Sequence, residues 1–83
     1  MKSIAKVVET YNDGNYVTIL LFNEATKNGF YYEFETSNLV TKWSEILKDL
    51  NELDNSYPKS ATAISRAFNN EDELISYFED NIL

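Results

Sequence analysis

The chain has 83 residues and a formal net charge of -7, with 14 acidic residues against 7 basic ones. It contains no cysteine and no histidine, which excludes a disulfide framework, a thiolate nucleophile, a zinc–thiolate site and an imidazole base. With 43% hydrophobic and 14% aromatic residues, the composition is that of one small folded domain rather than a disordered acidic tail.

The acidic balance argues against direct binding of nucleic acid or of an anionic membrane surface, because phosphate contacts need clustered lysine and arginine. No segment reaches the ~18 apolar residues that a membrane-spanning helix needs. Residues 1–6 are not followed by the apolar run of a signal peptide. We therefore expect a soluble, cytoplasmic protein that binds no cofactor.

The first part of the chain predicts antiparallel strands. Strand one covers about Ser3–Tyr11 and strand two about Tyr16–Asn23. Between them lies Asp13-Gly14, a pair that favours a type I′ hairpin turn because both central residues need a positive φ. The end of strand two, Ile19–Phe22, is apolar on both faces, which is typical of a central strand.

Strand three covers Phe30–Glu35, after a second turn signal at Asn28-Gly29. Side chains alternate between the two faces of a strand. The face predicted to meet the core consists of Phe30, Tyr32 and Phe34. The face predicted to meet water or a partner consists of Tyr31, Glu33 and Glu35. The three strands together predict a meander.

After the strands, apolar residues recur at helical spacing. Helix one begins near Ser37 or Asn38, either of which can cap it, and ends near Asp54-Asn55. Its apolar stripe consists of Leu39, Val40, Trp43, Ile46, Leu47, Leu50 and Leu53.

Two further helices are predicted. The second begins at Pro58, and its predicted buried side consists of Ala61, Ile64, Ala67 and Phe68. The third has a capping box, in which Asn70 caps the helix and Glu73 reaches back from the third helical position. The predicted fold class is α+β, a three-stranded antiparallel β-meander followed by three helices (βββααα) packed on one face of the sheet, in one domain spanning 1–83.

The acidic residues concentrate in the second half of the chain, because residues 1–42 carry a net charge of -1 and residues 43–83 carry -6. The third helix has no lysine at i+4 from its acids, whereas a helix selected only for stability would interleave both signs. The alternative is that these acids are a solvated helix face and a first turn that complements the helix dipole. The candidate partner-binding residues are Glu71, Asp72, Glu73, Glu79, Asp80, Glu45, Asp49, Glu52, Tyr31, Glu33 and Glu35.

Catalysis and metal binding are not expected. Glu33 and Glu35 lie close enough to act as an acid–base pair, but no histidine, cysteine or glycine-rich loop accompanies them. The segment Asn12–Asn15 lacks the alternating acids and closing glutamate of a calcium loop, so it predicts a turn.

These features favour an acidic inhibitor that binds a basic, nucleic-acid-handling protein and blocks its engagement of nucleic acid. In its size, its acidity, its lack of histidine and cysteine, its predicted sheet with helices and its acids at 71–73, 79 and 80, the chain resembles small phage-encoded anti-defence proteins, notably type II-A anti-CRISPR inhibitors of RNA-guided nucleases. The resemblance is one of type rather than motif, and it implies that the chain blocks target-DNA engagement.

Two alternatives remain open at this point. An immunity protein or antitoxin would neutralise a basic toxin through the same acidic and aromatic surface. A homo-oligomeric interaction module, for instance a homodimer, would pair two chains through the strand edge that the meander leaves open.

Overall fold

The computed structural model describes residues 6–52 and 61–83, and the side chains of residues 6–46 and 61–83. The elements in these ranges are β1 (Lys6–Asn12), β2 (Tyr16–Asn23), β3 (Asn28–Glu35), a 3-10 turn (Thr36–Asn38), α1 (Leu39–Glu52), β4 (Thr62–Ala67) and α2 (Glu71–Asn81). The bounds predicted for strand two are confirmed. The predicted start of strand one at Ser3, the predicted end of helix one at Asp54-Asn55 and Pro58 lie outside the described residues.

The strands form one antiparallel sheet in the order β1-β2-β3-β4, and α1 connects the neighbouring strands β3 and β4. The prediction of three strands followed by three helices is therefore wrong, because the described chain has a four-stranded sheet and two helices. In the register of β2 and β3, Tyr16 lies opposite Glu35 and Leu20 lies opposite Tyr31. An irregularity in β1 between Val7 and Glu9 shifts its register against β2.

β2 is the centre of the fold because every residue from Val17 to Asn23 is buried. Ile19 and Leu21 belong to the hydrophobic cluster on one face of the sheet, and Leu20 and Phe22 belong to the cluster on the other. Burying one such side chain stabilises the fold by about 1.5–3 kcal/mol. The prediction that strand two is central is confirmed.

The two helices cover opposite faces of the sheet, so the prediction that all helices pack on one face is wrong. The cluster on the α1 face consists of Val17, Ile19, Leu21, Phe30, Tyr32, Phe34 and Ile46. The cluster on the α2 face consists of Leu20, Phe22, Ile64, Phe68, Leu74 and Phe78. With helices on one face only, the apolar side chains of β2 on the other face would remain in water.

The segment predicted as the second helix is strand β4, paired with β3. Ile64 and Phe68 suggested a helix because residues four apart share one helix face, but residues four apart also share one face of a strand. Both side chains are buried under α2. Ala63 and Ala67 are exposed, so side-chain burial does not hold them in place. Both pair with β3, and this pairing makes the segment a strand rather than a helix.

The β1–β2 hairpin does not have the predicted type I′ turn, which needs a positive φ at both central residues. Gly14 has a positive φ of 95°, but Asp13 does not. The Asp13 side chain holds the turn instead. Its Oδ1 accepts hydrogen bonds from the backbone N–H groups of Asn15 at 2.8 Å and Tyr16 at 2.7 Å. This is the local bonding for which aspartate is favoured in turns.

Asn28-Gly29, the second predicted turn signal, belongs to β3, and the turn precedes it. There the side chain of Asn23 accepts two backbone N–H groups, and Lys27 adopts a left-handed φ of 64°. Gly29 is needed for a different reason. A Cβ atom at this position would lie 2.5 Å from Cδ1 of Leu74, so the absence of a side chain lets α2 approach the sheet.

Candidate protein-interaction site

Two of the three acids at the start of α2 have basic partners within the protein. Nζ of Lys6 lies 2.9 Å from Glu71, and the guanidinium of Arg66 lies 3.3 Å from Glu73. These partners come from β1 and β4 rather than from the helix itself. Oδ1 of Asn70 accepts a hydrogen bond from the backbone N–H of Glu73 at 2.9 Å, which confirms the predicted N-cap.

The acids at the end of α2 have no such explanation. Glu79 and Asp80 lie in the last turn, which carries no basic residue. A negative charge at a helix C-terminus opposes the helix dipole and costs about 0.3–1 kcal/mol. Asp72, by contrast, lies exposed in the first turn, where the dipole favours an acid. Stability therefore accounts for Asp72 but not for Asp80, whereas Glu79 accepts a hydrogen bond from the hydroxyl of Tyr11.

β3 contributes two more exposed acids at the same end of the sheet. Glu33 lies opposite Thr18 and Glu35 lies opposite Tyr16, so all four side chains point to the α2 face. The two glutamates are two residues apart on one strand, which separates their Cα atoms by about 7 Å. Tyr16 beside them is 51% exposed. Its ring is an exposed aromatic surface next to carboxylates.

Asp13 lies in the hairpin turn that closes this end of the sheet. The backbone N–H groups of Tyr16 and Asn15 donate to its carboxylate and lower the pKa of Asp13 below its usual value. An aspartate is ionised at neutral pH in any case, and these hydrogen bonds extend the ionised state to lower pH. The same hydrogen bonds that shape the turn therefore also fix a negative charge there.

We call this region the acidic end; its carboxylates are those of Asp13, Glu33, Glu35, Glu79 and Asp80. A depression of about 210 Å³ lies there, lined by Tyr11, Asp13, Tyr16, Thr18, Glu33 and Leu83. Three described bases lie at the opposite end of the strands, namely Lys6, Lys27 and Arg66, and a fourth, Lys42, lines a depression of α1 with Glu33. The bases at the opposite end lie among four acids, namely Glu24, Glu71, Asp72 and Glu73. That end is therefore nearly balanced (+3 against -4), whereas the five carboxylates concentrate negative charge at the acidic end.

Several predicted partner-binding residues do not belong to the acidic end. Tyr31 packs edge-on against a phenylalanine of α2, with ring centroids 5.3 Å apart. Glu45 is on α1, which covers the other face, and it pairs with a lysine of that helix at 3.3 Å. Asp49 and Glu52 are also on α1, but their side chains lie outside the described residues. Glu45 and the acids of α2 therefore lie on helices that cover opposite faces of the sheet.

Asp13 and Tyr16 are the site residues that the sequence patterns did not single out. The sequence pattern predicts that Asp13 is a turn residue, and the structure agrees. Its charge joins the candidate site only because the fold places this turn beside the end of β3. Tyr16 begins β2, and the alternation along that strand puts it on the face opposite Val17. That alternation was the available signal.

Tyr11 joins the sheet to the acidic end, because its hydroxyl donates to Oε2 of Glu79 at 3.0 Å. Burial and this carboxylate raise the pKa of Tyr11 from 10.0 to about 12. As the pH rises, the unfolded chain loses the Tyr11 proton before the folded protein does. The contribution of protonated Tyr11 to stability is therefore complete below pH 10 and is lost as the pH rises towards 12.

Tyr11→Phe should therefore show a shallower loss of the free energy of unfolding between pH 10 and pH 12, measured by urea titration. Equal slopes in both proteins would contradict this assignment.

Two classes of site are not found in the described ranges. Among residues 6–52 and 61–83, no group of three or more acidic side chains is placed to hold a metal ion. Neither helix in the described part of the chain is long and apolar enough to cross a membrane. The exposed carboxylates of the acidic end suit ion pairing with another molecule.

Comparison with known proteins adds no assignment: no family model, no curated protein and no solved structure matches the chain.

Proposed function

We propose that the protein is a non-catalytic inhibitor that binds a basic, nucleic-acid-handling protein and blocks its engagement of nucleic acid. The concentration of negative charge at the acidic end carries this proposal. Five carboxylates lie at that end, whereas at the other end of the strands Lys6 and Arg66 pair with Glu71 and Glu73. A positively charged partner would attract each of these carboxylates and would so offset the repulsion among them.

The position of the acids supports a binding role over a stabilising one. Glu79 and Asp80 oppose the dipole of α2, and Glu33 and Glu35 are like charges on adjacent positions of one strand face. Each arrangement costs some stability. A basic partner would offset that cost, whereas water alone only screens it.

A protein surface that binds nucleic acid is rich in lysine and arginine, which can pair with the carboxylates of the acidic end. Duplex DNA presents one negative charge per ~1.7 Å of helix axis, and proteins meet it with lysine and arginine. Such a surface would accept carboxylates held in place by a rigid sheet. Tyr16 adds a ring on which a guanidinium can stack, a contact that contributes about 0.5–1 kcal/mol at exposed sites.

The resemblance in type to anti-CRISPR inhibitors makes an RNA-guided nuclease the first partner to test, with the host cytoplasm as the place of action. The protein itself would not bind nucleic acid, because its net charge is -7 and described bases of the sheet are engaged by Glu71 and Glu73.

The test is capture of partners by the tagged protein from a lysate of a low-GC Gram-positive bacterium that carries CRISPR systems. We expect an enzyme that handles DNA or RNA to be captured, to elute with rising salt and to be displaced by added duplex DNA. Mass spectrometry of the salt fractions identifies it. A captured partner that is indifferent to both salt and DNA would contradict the proposed function.

A further inference from the structure

The side of α1 that faces β1 is apolar and uncovered in the described part of the chain. Val40 is 83% exposed, and Leu39 and Trp43 are each 38% exposed. They border a groove of about 520 Å³. The remaining residues that line it are Thr10, Asn12, Val17, Ile19 and Ser44. An exposed apolar surface of this kind marks an interaction site more often than chance.

The groove lies beside an open strand edge. β1 is the outermost strand of the sheet, and within residues 6–52 and 61–83 no strand pairs with its outer side. Such an edge presents unpaired backbone groups that can accept another strand. Val7 of β1 lies opposite Leu21, on the α1 face, and is also exposed. Backbone pairing and apolar burial are therefore available next to each other.

The charge of the groove selects its occupant. None of the residues that line it is charged, although the chain as a whole carries -7. Two copies of this chain would repel each other through the acidic end, but they meet no like charge at this groove. A basic partner would find no carboxylate here to pair with. A second copy of the chain is the occupant that matches both the neutral groove and the strand edge.

We infer that the protein forms a homodimer through β1 and the groove of α1. A two-fold axis perpendicular to the sheet pairs β1 with its copy in antiparallel fashion and leaves both α1 helices on the same face. In a register centred on Thr10, Glu9 lies opposite Tyr11 of the second copy rather than opposite another acid. The apolar sides of the two α1 helices then face each other across the paired strands.

The groove of the dimer and the acids of β3 lie on opposite faces of the sheet. The carboxylates of Glu33 and Glu35 lie on the α2 face, whereas the groove lies on the α1 face. Failure of the dimer would leave the proposed function intact, and failure of partner capture would leave the dimer intact.

Sedimentation equilibrium of the purified full chain tests the inference. We expect a concentration-dependent species of twice 9.6 kDa whose dissociation constant does not rise with salt. Trp43 is the only tryptophan of the chain, so its emission should shift to shorter wavelength as the dimer forms. A monomer throughout the soluble concentration range would overturn the inference.

The variant Val40→Lys places a charge in the groove at a position exposed enough to keep the fold, which circular dichroism verifies. We expect it to raise the dissociation constant about 100-fold, because burying a lone ammonium is unfavourable. Ser76→Lys, at an exposed position on α2, is the matched control and should dimerise like the parent. An unchanged dissociation constant in Val40→Lys would overturn the inference even if dimers exist.

Discussion

Replacing Gly29 with alanine is expected to lower the free energy of unfolding by about 1–3 kcal/mol, the usual cost of overpacking a core. The added Cβ would lie 2.5 Å from one methyl of Leu74 and 3.2 Å from the other. Leu74 is fully buried in the cluster under α2, so a shift of its side chain displaces the residues that it packs against. Urea denaturation of the two proteins at neutral pH measures the difference.

The same clash predicts that the effects of two substitutions are not additive. Leu74→Val removes the methyl groups that the new Cβ meets, so Gly29→Ala should cost less in that background than in the parent. Gly14→Ala is the comparison for backbone strain alone, because Gly14 has a φ of 95° and nothing near its missing Cβ. Additive effects of Gly29→Ala and Leu74→Val would show that the close approach of α2 is not what requires glycine.

Neutralising three acids together, by Glu33→Gln, Glu35→Gln and Asp80→Asn, is expected to weaken binding to the captured basic partner about 100-fold at low salt. All three side chains are exposed, so the substitutions remove charge without disturbing the core. The melting temperature should be unchanged or slightly higher, because like charges and an unfavourable helix-dipole contact are removed. Isothermal titration at two salt concentrations measures the binding.

A matched variant separates the acidic end from the overall charge. Glu9→Gln, Glu24→Gln and Asp72→Asn remove the same number and kinds of acid at exposed positions elsewhere, so both variants carry -4 instead of -7. We expect this control to bind nearly as well as the parent. If both variants lose affinity equally, net charge rather than the acidic end drives binding, and the proposed site is wrong.

The sequence pattern predicts the elements whose local spacing agrees with their tertiary role. β3 alternates between apolar and polar residues, β2 ends in a strand-length apolar run, and α1 and α2 have helical spacing. Asn70 is the cap that the pattern indicates. The pattern does not predict β4, because Ile64 and Phe68 fit either period. The contact that decides between helix and strand is the pairing with β3, whose paired residues are 31 to 39 positions away in the chain. Local spacing cannot report such a pairing.

The sequence contains a signal for helices on both faces of the sheet, whereas it contains no such signal for the fourth strand. The run Ile19–Phe22 is apolar at every position, so covering one face would bury only half of it. The candidate site depended on information that spacing lacks. Glu35 meets Tyr16 only through the strand register, and Lys6 meets Glu71 only because β1 lies beside the start of α2. The sequence of α2 alone therefore offers no basic partner for Glu71 and Glu73, although β1 and β4 provide one for each in the folded protein.

The concentration of negative charge at one end of the strands gives the molecule a permanent electric moment directed along the sheet. In the field of a positively charged surface, such a moment experiences a torque that turns the acidic end forward before any contact forms. The far end opposes this turn little, because its acids and bases nearly balance and Lys6 and Arg66 are paired with Glu71 and Glu73. The protein would thus arrive in the productive orientation more often than random tumbling allows, and it would lose this advantage as added salt shortens the range of the field.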